Sequence, residues 1–480
     1  MTVPPMTPGF GEVGGAIDDE ISYDVASSQA PTNIAIVKYW GKDEGRGGNT
    51  PLNSSCSLTL DPNDLRAETV VIASSKFKED ELFLNGKQII AKDSTHAKRL
   101  RSCLETMRKR CIELPSSSNA QSVEELRSWK VRVISKNTFP TAAGLASSAA
   151  GYAALIKALA ELYGIKEKFS GELSTIARRG SGSASRSLYG GLVAWQKGDA
   201  DLDTSKAVQF FDEKYWPELR VVVLVASADE KDTPSTEGMQ RSIATSPFLL
   251  YRANAIAEPR IDQLRDAYAN RDFPTFAKIC MQDSNSFHAT CLDTFPPIFY
   301  MNHTSRAIIR AVHAFNNSLP DGPAVAYTFD AGPNAVCFCR DQQSADAFLA
   351  LVYRLFNNGY IPCNKPQLLK TALANHPPPS SILLQECGKT HFKGAKLNMI
   401  YLTKLGTGAS SPLQSQALST LIDPSTLEPR LSSAHSPFFC TLRNYLTQYT
   451  NSRTTVLAAI VLGHTIGLAT LVIVRRTRRF

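Results

Sequence analysis

The sequence predicts an α+β fold, because segments with strand periodicity and segments with helix periodicity both recur along its 480 residues. Val131–Ser135 alternates as a strand does and runs through a loop of small residues into an apolar helical pattern. Leu219–Ala226 is almost uninterrupted in apolar residues, which is typical of a buried strand. Helical patterns follow at 259–269, 273–287 and 304–316. With 43% apolar and 20% charged residues, the chain can bury the core of one large or two medium domains.

The loop Asn137–Gly151 is rich in glycine, alanine and serine and leads directly into a helix that stops at Gly164. Its small side chains allow close approach of the backbone to a ligand, and a helix begun near Ala146 points its positive dipole end at that ligand. These features predict a phosphate-binding loop, although an ordinary tight turn with serine caps explains Gly144–Ser148 equally well. Neither a Gly-x4-Gly-Lys-Ser/Thr motif nor a Gly-x-Gly-x-x-Gly motif between a strand and a helix occurs.

Cysteine and histidine usage indicates a reduced, cytoplasmic protein. The ten cysteines are scattered, with no Cys-x-x-Cys pair and no secretory signal peptide. Cys337 and Cys339 share one strand face, which favours a core position over metal ligation, and the eight histidines show no zinc spacing. Residues 1–23 are rich in Gly and Pro at first and lack periodicity, so we expect a disordered leader.

The net charge of +8 does not indicate a nucleic-acid partner. Residues 401–480 contain eight Lys or Arg and two Asp or Glu, so six of the net positive charges lie in that tail. The rest of the chain is nearly neutral, and no basic surface for nucleic acid is predicted.

The segment Ala30–Lys42 places cationic and amide side chains in and just after a buried strand. Ile34 and Ile36 alternate as strand residues do, while Asn33, Lys38 and Lys42 are polar. Two lysines at a buried edge predict an anionic ligand. A half-exposed strand with solvated lysines is the alternative, against which Gly41 argues because it lets the chain turn around something bulky.

The following region is predicted as a loop over 43–53, the strand Cys56–Leu60 and a hairpin at Asn85-Gly86. A basic amphipathic helix is predicted over 95–114. Arg99 lies near its start, where a cation gains nothing from the helix dipole and is available to a ligand.

Two further loops carry hydrogen-bond donors. Ala177–Gly191 is predicted as a flexible loop whose glycines and serines surround Arg186, which suits a diphosphate or a carboxylate. Lys231–Gln240 is predicted as a polar loop with the hydroxyls of Ser235 and Thr236. A plain connector is the alternative for the first loop, but Leu188 and Val193–Trp195 continue at once into a buried strand.

Two polar features are predicted in the second half of the chain. Asp283–Asp293 is polar enough to line a cavity, and its His288 is more often structural than catalytic. Asp330 lies between two strands at an Ala-Gly-Pro-Asn turn. An Asx cap is its ordinary explanation, but the apolar flanks favour a partly desolvated carboxylate.

Pro140-x3-Gly144-Leu-x-Ser147-Ser148 resembles the phosphate motif of the GHMP kinase superfamily. Six segments together resemble the mevalonate diphosphate decarboxylase family: Tyr39–Lys42, Pro140–Ser148, Ser181–Arg186, Ser235–Met239, Ser286–Cys291 and Phe329–Asn334. The resemblance spans about Asp24 to Gly408, and the Tyr-Trp-Gly-Lys and Ser-Gly-Ser segments distinguish this family from the sugar and mevalonate kinases.

The resemblance implies a two-lobed GHMP kinase fold with an active-site cleft between the lobes. The N-terminal lobe, over 24–210, would resemble domain 2 of ribosomal protein S5, and an α/β C-terminal lobe would cover 211–408. Asp330 and Arg186 would face each other across the cleft. The resemblance also implies a homodimer that uses ATP and Mg²⁺.

The implied reaction is ATP-dependent decarboxylation of mevalonate 5-diphosphate to isopentenyl diphosphate, ADP, phosphate and CO₂, in the mevalonate route to isoprenoids and sterols. Asp330 would act as base on the 3-hydroxyl, or orient it, while that oxygen takes the γ-phosphoryl group. Arg186 would hold the substrate carboxylate by a two-point contact, and Asn33 would orient Arg186 or that carboxylate. With Lys42 these are the implied catalytic residues.

The resemblance also implies two sets of binding residues. The substrate would contact Tyr39, Trp40, Gly41, Lys42, Arg99, Ser181, Gly182, Ser183, Ala184, Ser185, Arg186, Ser235, Thr236 and Met239. ATP would contact Pro140, Ala143, Gly144, Leu145, Ala146, Ser147 and Ser148, with Ser148 as the magnesium ligand. The family usually has cysteine where this chain has Ser185, a near-isosteric change that we expect to be harmless.

Two alternative functions are open to a chain with these motifs. A GHMP kinase that stops after phosphorylation would share the fold, and release of CO₂ would distinguish it. A non-catalytic, membrane-tethered scaffold would retain the ATP fold, but every expected catalytic position is filled.

The C-terminal tail is the main departure from the family. Residues 409–455 are predicted as a low-complexity linker, 456–474 as a membrane-spanning or buried helix, and 475–480 as a basic end. The 19 residues of 456–474 carry no formal charge, and at about 1.5 Å per residue they fall just short of a bilayer core of roughly 30 Å. A membrane anchor, a buried or amphipathic helix and a misread exon boundary are the alternatives.

Overall fold

The structure is a computed structural model that describes residues 22–89, 95–139, 147–229, 231–356, 360–388, 393–413, 415–423, 426, 428–430, 458–459 and 472–473. The chain divides into two compact units, Met1–Leu431 and Ser432–Phe480. Most of the predicted leader lies outside the described residues.

The first half of the larger unit contains two sheets. Its strands are β1 (Tyr23–Pro31), β2 (Asn33–Val37), β3 (Ser55–Thr59), β4 (Arg66–Ser74), β5 (Glu81–Leu84), β6 (Lys87–Gln88), β7 (Lys130–Asn137), β8 (Leu192–Trp195) and β9 (Ala207–Phe211). One sheet has the order β1-β4-β7-β5-β6 and the other β2-β3-β8-β9. All neighbouring strands run antiparallel except β5 and β7.

In the described residues of this half, the α-helices are α1 (Thr95–Arg110), α2 (Val123–Ser128), α3 (Ser147–Leu162), α4 (Glu172–Gly180) and α5 (Ala184–Ser187), and a short 3-10 helix covers Leu202–Thr204. α3 packs across β1 and β4 through buried alanines, among them Ala153 and Ala154. Because alanine is small, the helix lies close to the sheet, and α4 and α5 pack against it in turn. This packing fixes the start of α3 beside the segment that carries Arg186.

The second half contains an antiparallel sheet with the order β11-β12-β10-β13. Its strands are β10 (Arg220–Val225), β11 (Val325–Phe329), β12 (Ala335–Cys339) and β13 (Met399–Lys404). Its helices are α6 (Ser235–Thr245), α7 (Pro247–Tyr251), α8 (Ala257–Ala269), α9 (Phe273–Asp293), α10 (His303–Asn317), α11 (Gln342–Leu355), α12 (Pro366–Asn375), α13 (Ser381–Cys387) and α14 (Ser415–Leu421). A π-helical turn, Arg252–Ile256, joins α7 to α8.

One hydrophobic core joins the two halves. Ile34 and Ile36 of β2 belong to the same buried cluster as Val221 and Val223 of β10 and Phe276 of α9. Apolar burial on this scale stabilises the contact by about 25 cal/mol for each Å² removed from water. The residues that follow β2 are therefore held against α9 and the β10 sheet.

Several predicted elements are confirmed. β7 contains the predicted strand Val131–Ser135, and β10 lies within Leu219–Ala226. α3 runs from Ser147 to Leu162, close to the predicted start at Ala146 and stop at Gly164. The predicted hairpin joins β5 to β6, and its Asn85 and Gly86 have φ values of 51° and 76°, as a type I′ turn requires.

Four predicted boundaries are corrected. All five residues of β2 are buried and the strand ends at Val37, because the sheet is covered on both faces. The amphipathic helix α1 ends at Arg110 instead of 114. The predicted loop Ala177–Gly191 contains the helix α5, and the predicted loop Lys231–Gln240 becomes helical at Ser235.

The described residues just beyond Gly408, in the range predicted as a linker, pack on the rest of the larger unit. Ser410 exchanges two backbone hydrogen bonds with Gln29, both 2.9 Å long. Leu413 and Leu421 are buried beside Val70 of β4. The larger unit therefore extends beyond the predicted lobe boundary.

The predicted helix over 456–474 is described at two places only. Ala458–Ala459 pairs antiparallel with Val472–Ile473, so these four residues are extended. Residues 460–471 lie outside the described part of the chain. Within the described residues, no helix combines the length and the apolar character that crossing a membrane requires.

Candidate active site

A cavity of about 600 Å³ is formed by residues from both halves of the larger unit. The turn after β2, the start of α3, the segment around α5, the start of α6 and the turn between β11 and β12 meet there. Its lining in the described chain comprises Asn33, Ala35, Lys38, Tyr39, Trp40, Lys42, Asn49, Arg99, Ser147, Ser148, Ser181, Gly182, Ser183, Arg186, Lys231, Pro234, Ser235, Thr236, Met239, Phe287, Asp330 and Ala331.

A lysine and a carboxylate form an ion pair in the cavity wall. Lys38 Nζ lies 2.5 Å from Asp330 Oδ1 and donates a second hydrogen bond, 2.6 Å long, to the carbonyl oxygen of Ala35. The Lys38 side chain is 4% exposed and that of Asp330 is 33% exposed, so the carboxylate is the partner that reaches the open space. The pair presents a fixed carboxylate that can accept a proton or a hydrogen bond from a ligand hydroxyl.

Arg186, on α5, is a buried cation with neutral partners. Its Nε donates to Ser57 Oγ at 2.9 Å and to Asn33 Oδ1 at 3.3 Å, and its Nη1 donates to Ser55 Oγ. None of the carboxylates in the described residues forms an ion pair with it, and burial lowers the pKa of Arg186 from its ordinary value. Since a buried charge without a counter-ion is costly, the arrangement predicts an anionic ligand beside Arg186.

Asn33 fixes the orientation of that guanidinium. Its Nδ2 donates to the carbonyl oxygen of Ser183 at 2.9 Å and to Ser187 Oγ at 2.8 Å. The amide is therefore oriented with Oδ1 toward Arg186. Asn33 is 1% exposed and accepts a hydrogen bond from Arg186, so it is in contact with the guanidinium whose orientation it was predicted to set.

A second cationic corner lies at the start of α6. Arg99 Nη2 donates to Thr236 Oγ1 at 3.0 Å, which joins α1 to α6. Burial, and after it the positive charge of Arg99, lowers the pKa of Lys42 to about 8. A lysine and an arginine placed this close together suit a ligand with more than one negative charge.

Tyr39 and Gly182 close one side of the cavity. The Tyr39 ring contacts the Trp195 ring edge to face, with 4.8 Å between centroids, and burial raises the pKa of its hydroxyl. A β-carbon at Gly182 would lie 2.6 Å from the Trp195 ring and 2.9 Å from the Tyr39 hydroxyl. Glycine is therefore required for this close approach.

The start of α3 supplies hydroxyl groups at the other side. Ser147 and Ser148 are its first two residues, and Ser148 Oγ lies 3.2 Å from Ser181 Oγ. A helix start favours anions such as phosphate. The predicted ATP contacts Pro140, Ala143, Gly144, Leu145 and Ala146 lie outside the described residues.

Most of the described residues that were predicted for the site line the cavity, but three substrate-contact predictions do not. Gly41 has φ of 88° in the turn, where a β-carbon would lie 2.6 Å from Leu52. Ala184 and Ser185 are fully buried behind the wall, and Ser185 Oγ donates to the carbonyl oxygen of Gly182 at 2.8 Å. These residues shape the wall instead of facing a ligand.

Two cations of the cavity were not assigned a role in catalysis or substrate binding. Lys38 was one of the two lysines that predicted an anionic ligand beside the buried strand, but it was given no further role. Lys231 begins the segment predicted as a polar loop, and its Nζ donates to the carbonyl oxygen of Ala331 at 2.7 Å. Other lining residues that were missed are Ala35, Asn49, Pro234, Phe287 and Ala331.

Metal ligands are sparse in the described chain, which contains no group of three or more His, Cys, Asp or Glu side chains that could hold a metal ion. A hydroxyl such as that of Ser148 fits a magnesium ion that takes most of its ligands from phosphate oxygens and water.

His288 is 3% exposed, and burial lowers its pKa to about 4. The neutral ring packs against Phe287 and Phe329, which agrees with its predicted structural role.

Family models cover both halves of the chain. Residues 30–207 match the diphosphomevalonate decarboxylase-like N-terminal domain, and residues 221–411 match the mevalonate 5-diphosphate decarboxylase C-terminal domain. Diphosphomevalonate decarboxylase from Eremothecium gossypii is 49% identical over 338 residues, which are 69% of this chain and 82% of the relative.

Solved structures of the same family share the fold. Mevalonate diphosphate decarboxylase from Trypanosoma brucei matches with a TM-score of 0.71 and 34% identity, covering 82% of this chain and all of that one. A structure described as MDDEF in complex with MVAPP, AMPPCP and magnesium matches with a TM-score of 0.60 and 29% identity, covering 81% of this chain and 99% of that one.

Proposed function

This chain belongs to the mevalonate 5-diphosphate decarboxylase family and decarboxylates mevalonate 5-diphosphate, and we propose how its cavity residues divide that reaction. The observation that carries the proposal is the presence, in one cavity, of the Lys38–Asp330 pair and of the buried guanidinium of Arg186. The first suits phosphoryl transfer to a hydroxyl, and the second suits a carboxylate.

Asp330 acts in the phosphoryl-transfer step. The tertiary 3-hydroxyl of the substrate is a poor leaving group, so it first takes the γ-phosphoryl group of ATP. Asp330 accepts the hydrogen bond or the proton of this hydroxyl, and Lys38 Nζ, 2.5 Å away, holds the carboxylate in place. Lys38 has a third ammonium proton beyond those given to Asp330 and Ala35, which a phosphoryl oxygen can accept.

Arg186 acts in the decarboxylation step. Departure of the phosphate leaves positive character at C3, and loss of CO₂ supplies the electron pair for the double bond. The guanidinium binds the carboxylate through two N–H groups. It thereby orients the carbon–carbon bond that breaks, so that its electron pair can form the double bond to C3. Asn33 holds the guanidinium plane at the required angle.

The substrate diphosphate binds at the corner formed by Lys42, Arg99 and Thr236. The hydroxyls of Ser181, Ser183 and Tyr39 add neutral donors along the same wall. The ATP phosphates bind at the start of α3, beside Ser147 and Ser148. Magnesium, when bound there, would neutralise charge on the transferred phosphoryl group, with Ser148 as one ligand.

The support for ATP and magnesium is of two kinds. The related MDDEF was captured with AMPPCP, an ATP analogue, and magnesium together with MVAPP. In this chain, two hydroxyls at a helix start face a cavity that also holds five cationic side chains and one carboxylate among its described lining.

A coupled assay tests the proposed activity. Purified full chain is supplied with mevalonate 5-diphosphate, ATP and Mg²⁺, and ADP and CO₂ are measured in the same reaction. We expect both products in equal amounts and no CO₂ without ATP. ADP without CO₂ would support the kinase alternative, and the absence of both would support the scaffold alternative.

A homodimer is also part of the proposal. The described surface carries a cluster of large apolar side chains, each 52–75% exposed, on two neighbouring segments: Phe248, Leu250, Tyr251, Leu292, Phe295 and Phe299. The segments are joined by the hydrogen bond from Ser246 Oγ to Asp293 Oδ2, 2.6 Å long. Apolar clusters of this kind mark protein contacts, and a second copy of the chain is the partner that the family resemblance implies.

The dimer is tested by light scattering after size exclusion. Phe295→Asp should give a monomer, whereas Ile382→Asp, at a site 69% exposed on α13, should leave the dimer intact. A monomeric parent would contradict the homodimer, and a dimeric Phe295→Asp variant would contradict the assigned surface.

Membrane association through 456–474 stays a prediction of the sequence, as does a cytoplasmic location. The full chain and a chain ending at Leu431, where the first compact unit ends, can be compared by cell fractionation. Recovery of only the full chain with membranes would support the anchor, and recovery of both in the soluble fraction would contradict it.

A further inference from the structure

Asp283 is a fully buried carboxylate that lies outside the cavity lining but contacts the backbone of a cavity residue. Its Oδ1 accepts a hydrogen bond, 2.8 Å long, from the backbone N–H of Lys38. Asp283 is 0% exposed and is located in the middle of α9. The contact matters because Lys38 follows the last residue of β2, where sheet hydrogen bonding ends.

Two arginines complete this contact. Arg252 Nη2 lies 2.5 Å from Asp283 Oδ1, and Arg260 Nη1 lies 2.9 Å from Asp283 Oδ2. Arg252 Nη1 also donates to the carbonyl oxygen of Lys38 at 2.8 Å. The N–H and the C=O of Lys38 are therefore both held by one ion-paired cluster, which fixes the peptide planes on either side of the residue.

The same helix holds the other partner of the ion pair. Ser284, adjacent to Asp283 in α9, accepts the backbone N–H of Phe329 at 3.0 Å. Phe329 ends β11 and directly precedes Asp330. Adjacent residues of one helix thus hold the backbone of Lys38 and the backbone of Phe329, the residue before Asp330, although Lys38 and Asp330 are 292 positions apart in sequence.

Stability alone does not account for a charged cluster at this place. Removing charged groups from water costs more free energy than their attraction often returns, so apolar residues of similar volume would serve the core as well or better. What the cluster provides is directional contact with two backbone groups of one residue. The geometry of the cluster is therefore that of a group that positions Lys38.

We propose that Asp283, held by Arg252 and Arg260, is a positioning residue that sets the distance and angle between Lys38 Nζ and Asp330 Oδ1 in the phosphoryl-transfer step. The inference rests on the proposed function of the Lys38–Asp330 pair. Asp283 acts through Lys38 and does not touch the substrate. Displacement of a reacting group by about 1 Å costs roughly 10²-fold in rate, so a cluster that restrains Lys38 has a measurable effect.

A double-mutant cycle tests the inference. Asp283→Asn keeps the side-chain shape but loses the charge that holds both arginines, and Lys38→Met removes the group through which Asp283 acts. In the parent, Asp283→Asn should lower kcat by about 10-fold to 10²-fold with the KM for mevalonate 5-diphosphate within about 3-fold. In the Lys38→Met background, the same change should alter the rate by less than about 3-fold.

The rates are measured in single turnover with radiolabelled ATP and enzyme in excess, which keeps slow variants measurable. Equal effects of Asp283→Asn in both backgrounds would overturn the inference, since a role in general folding does not depend on Lys38. If the chain without substitutions shows no activity, the proposed function fails. This result differs from equal effects in both backgrounds, so a failure of the proposed function and a failure of the inference are distinguishable.

Arg260→Gln carries the same test if Asp283→Asn does not fold. Arg260 is 19% exposed, so its replacement leaves a smaller unpaired charge in the core. It should lower kcat in the parent and not in the Lys38→Met background. Arg265→Ala, on the same helix and 46% exposed, is the matched control and should change neither. Additive effects of Arg260→Gln and Lys38→Met would refute the positioning role.

Discussion

Replacing Arg186 by methionine should abolish most turnover without destabilising the protein. Methionine fills a similar volume but removes the charge, the hydrogen bonds to Ser55 and Ser57 and the proposed contact with the substrate carboxylate. Ser55 and Ser57 lose a donor to their hydroxyls, which can rotate toward other partners, and Asn33 Oδ1 loses its contact with Arg186 Nε, which is long at 3.3 Å. The buried cation itself lacks an ion pair among the described residues, so its removal relieves an unfavourable charge.

The expected magnitude follows from the donors of the guanidinium. Of its five N–H groups, Nε–H and one on Nη1 are used by protein side chains, which leaves three for a ligand. A two-point contact with the carboxylate contributes about 3–6 kcal/mol at about 1.5–3 kcal/mol per charged hydrogen bond. Its loss corresponds to about 10²–10⁴-fold in kcat/KM. Arg186→Lys keeps the charge but not the fork, and should lose about 10-fold to 10²-fold.

Arg178→Met is the matched control for this prediction. Arg178 is also fully buried, but its guanidinium donates to three backbone carbonyl groups, those of Gly48, Leu202 and Ser205. Carbonyl groups fixed in the backbone cannot turn to new donors, so each costs about 1–3 kcal/mol when left unsatisfied. Arg178→Met should therefore lower Tm, whereas Arg186→Met should leave Tm unchanged or raise it.

The assay combines ADP and CO₂ release with thermal unfolding and calorimetric binding of an ATP analogue. The expected pattern for Arg186→Met is retained nucleotide binding, retained Tm and loss of turnover. A variant that keeps more than about a tenth of the parent kcat/KM would refute the carboxylate contact. A fall in Tm as large as that of Arg178→Met would refute the view that Arg186 is retained for function at the expense of stability.

Three other predictions concern single positions. Asp330→Asn should lower kcat by about 10²–10⁴-fold at nearly unchanged KM, and steady-state kinetics within a few-fold of the parent would contradict its role. In the unmutated chain, kcat/KM should fall as pH rises through about 8, because Lys42 then loses the proton whose charge attracts the diphosphate. Lys42→Arg should move this decline to higher pH. A pH profile that stays flat would contradict the assignment of Lys42 to the diphosphate. Gly182→Ala should lower activity because its β-carbon meets the Trp195 ring at 2.6 Å. In the control Gly151→Ala on α3, the β-carbon meets nothing within 4 Å, so activity should be kept and thermal unfolding should show up to about 1 kcal/mol of added stability. Equal effects of the two changes on activity would contradict the steric argument.

Local pattern was sufficient for the elements that carry the site. The β7-loop-α3 unit was predictable because strand alternation, small residues and a 3.6-residue apolar period follow each other within about thirty residues. Asp330 was predictable at a turn because two apolar runs flank Ala331–Asn334. Ser235 and Thr236 line the cavity but were predicted in a loop, whereas they begin the helix α6, which depends on burial of Gly238 and Met239 against distant residues.

Contacts between distant segments were not predictable from local pattern. Lys38 was visible as a lysine beside a strand, but its partner lies 292 residues away and depends on how α9 holds the ends of β2 and β11. Arg186 was expected in a flexible loop, whereas α5 buries it completely. A buried arginine without a carboxylate contradicts ordinary core rules, and sequence periodicity contains no signal for it.

The charge balance of the cavity explains why the Lys38–Asp330 pair and the buried Arg186 occur together. Among the described lining residues, Lys38, Lys42, Arg99, Arg186 and Lys231 face a single carboxylate, Asp330. Such an excess of positive charge in one cavity is unfavourable, and burial together with the charge of Arg99 lowers the pKa of Lys42 to about 8. Mevalonate diphosphate and ATP bring a carboxylate and two phosphate chains, so the bound ligands supply the missing negative charge. The attraction between these cations and the ligands grows as negative charge develops in the transition state. The excess of positive charge therefore stabilises the transition state more than the bound substrates.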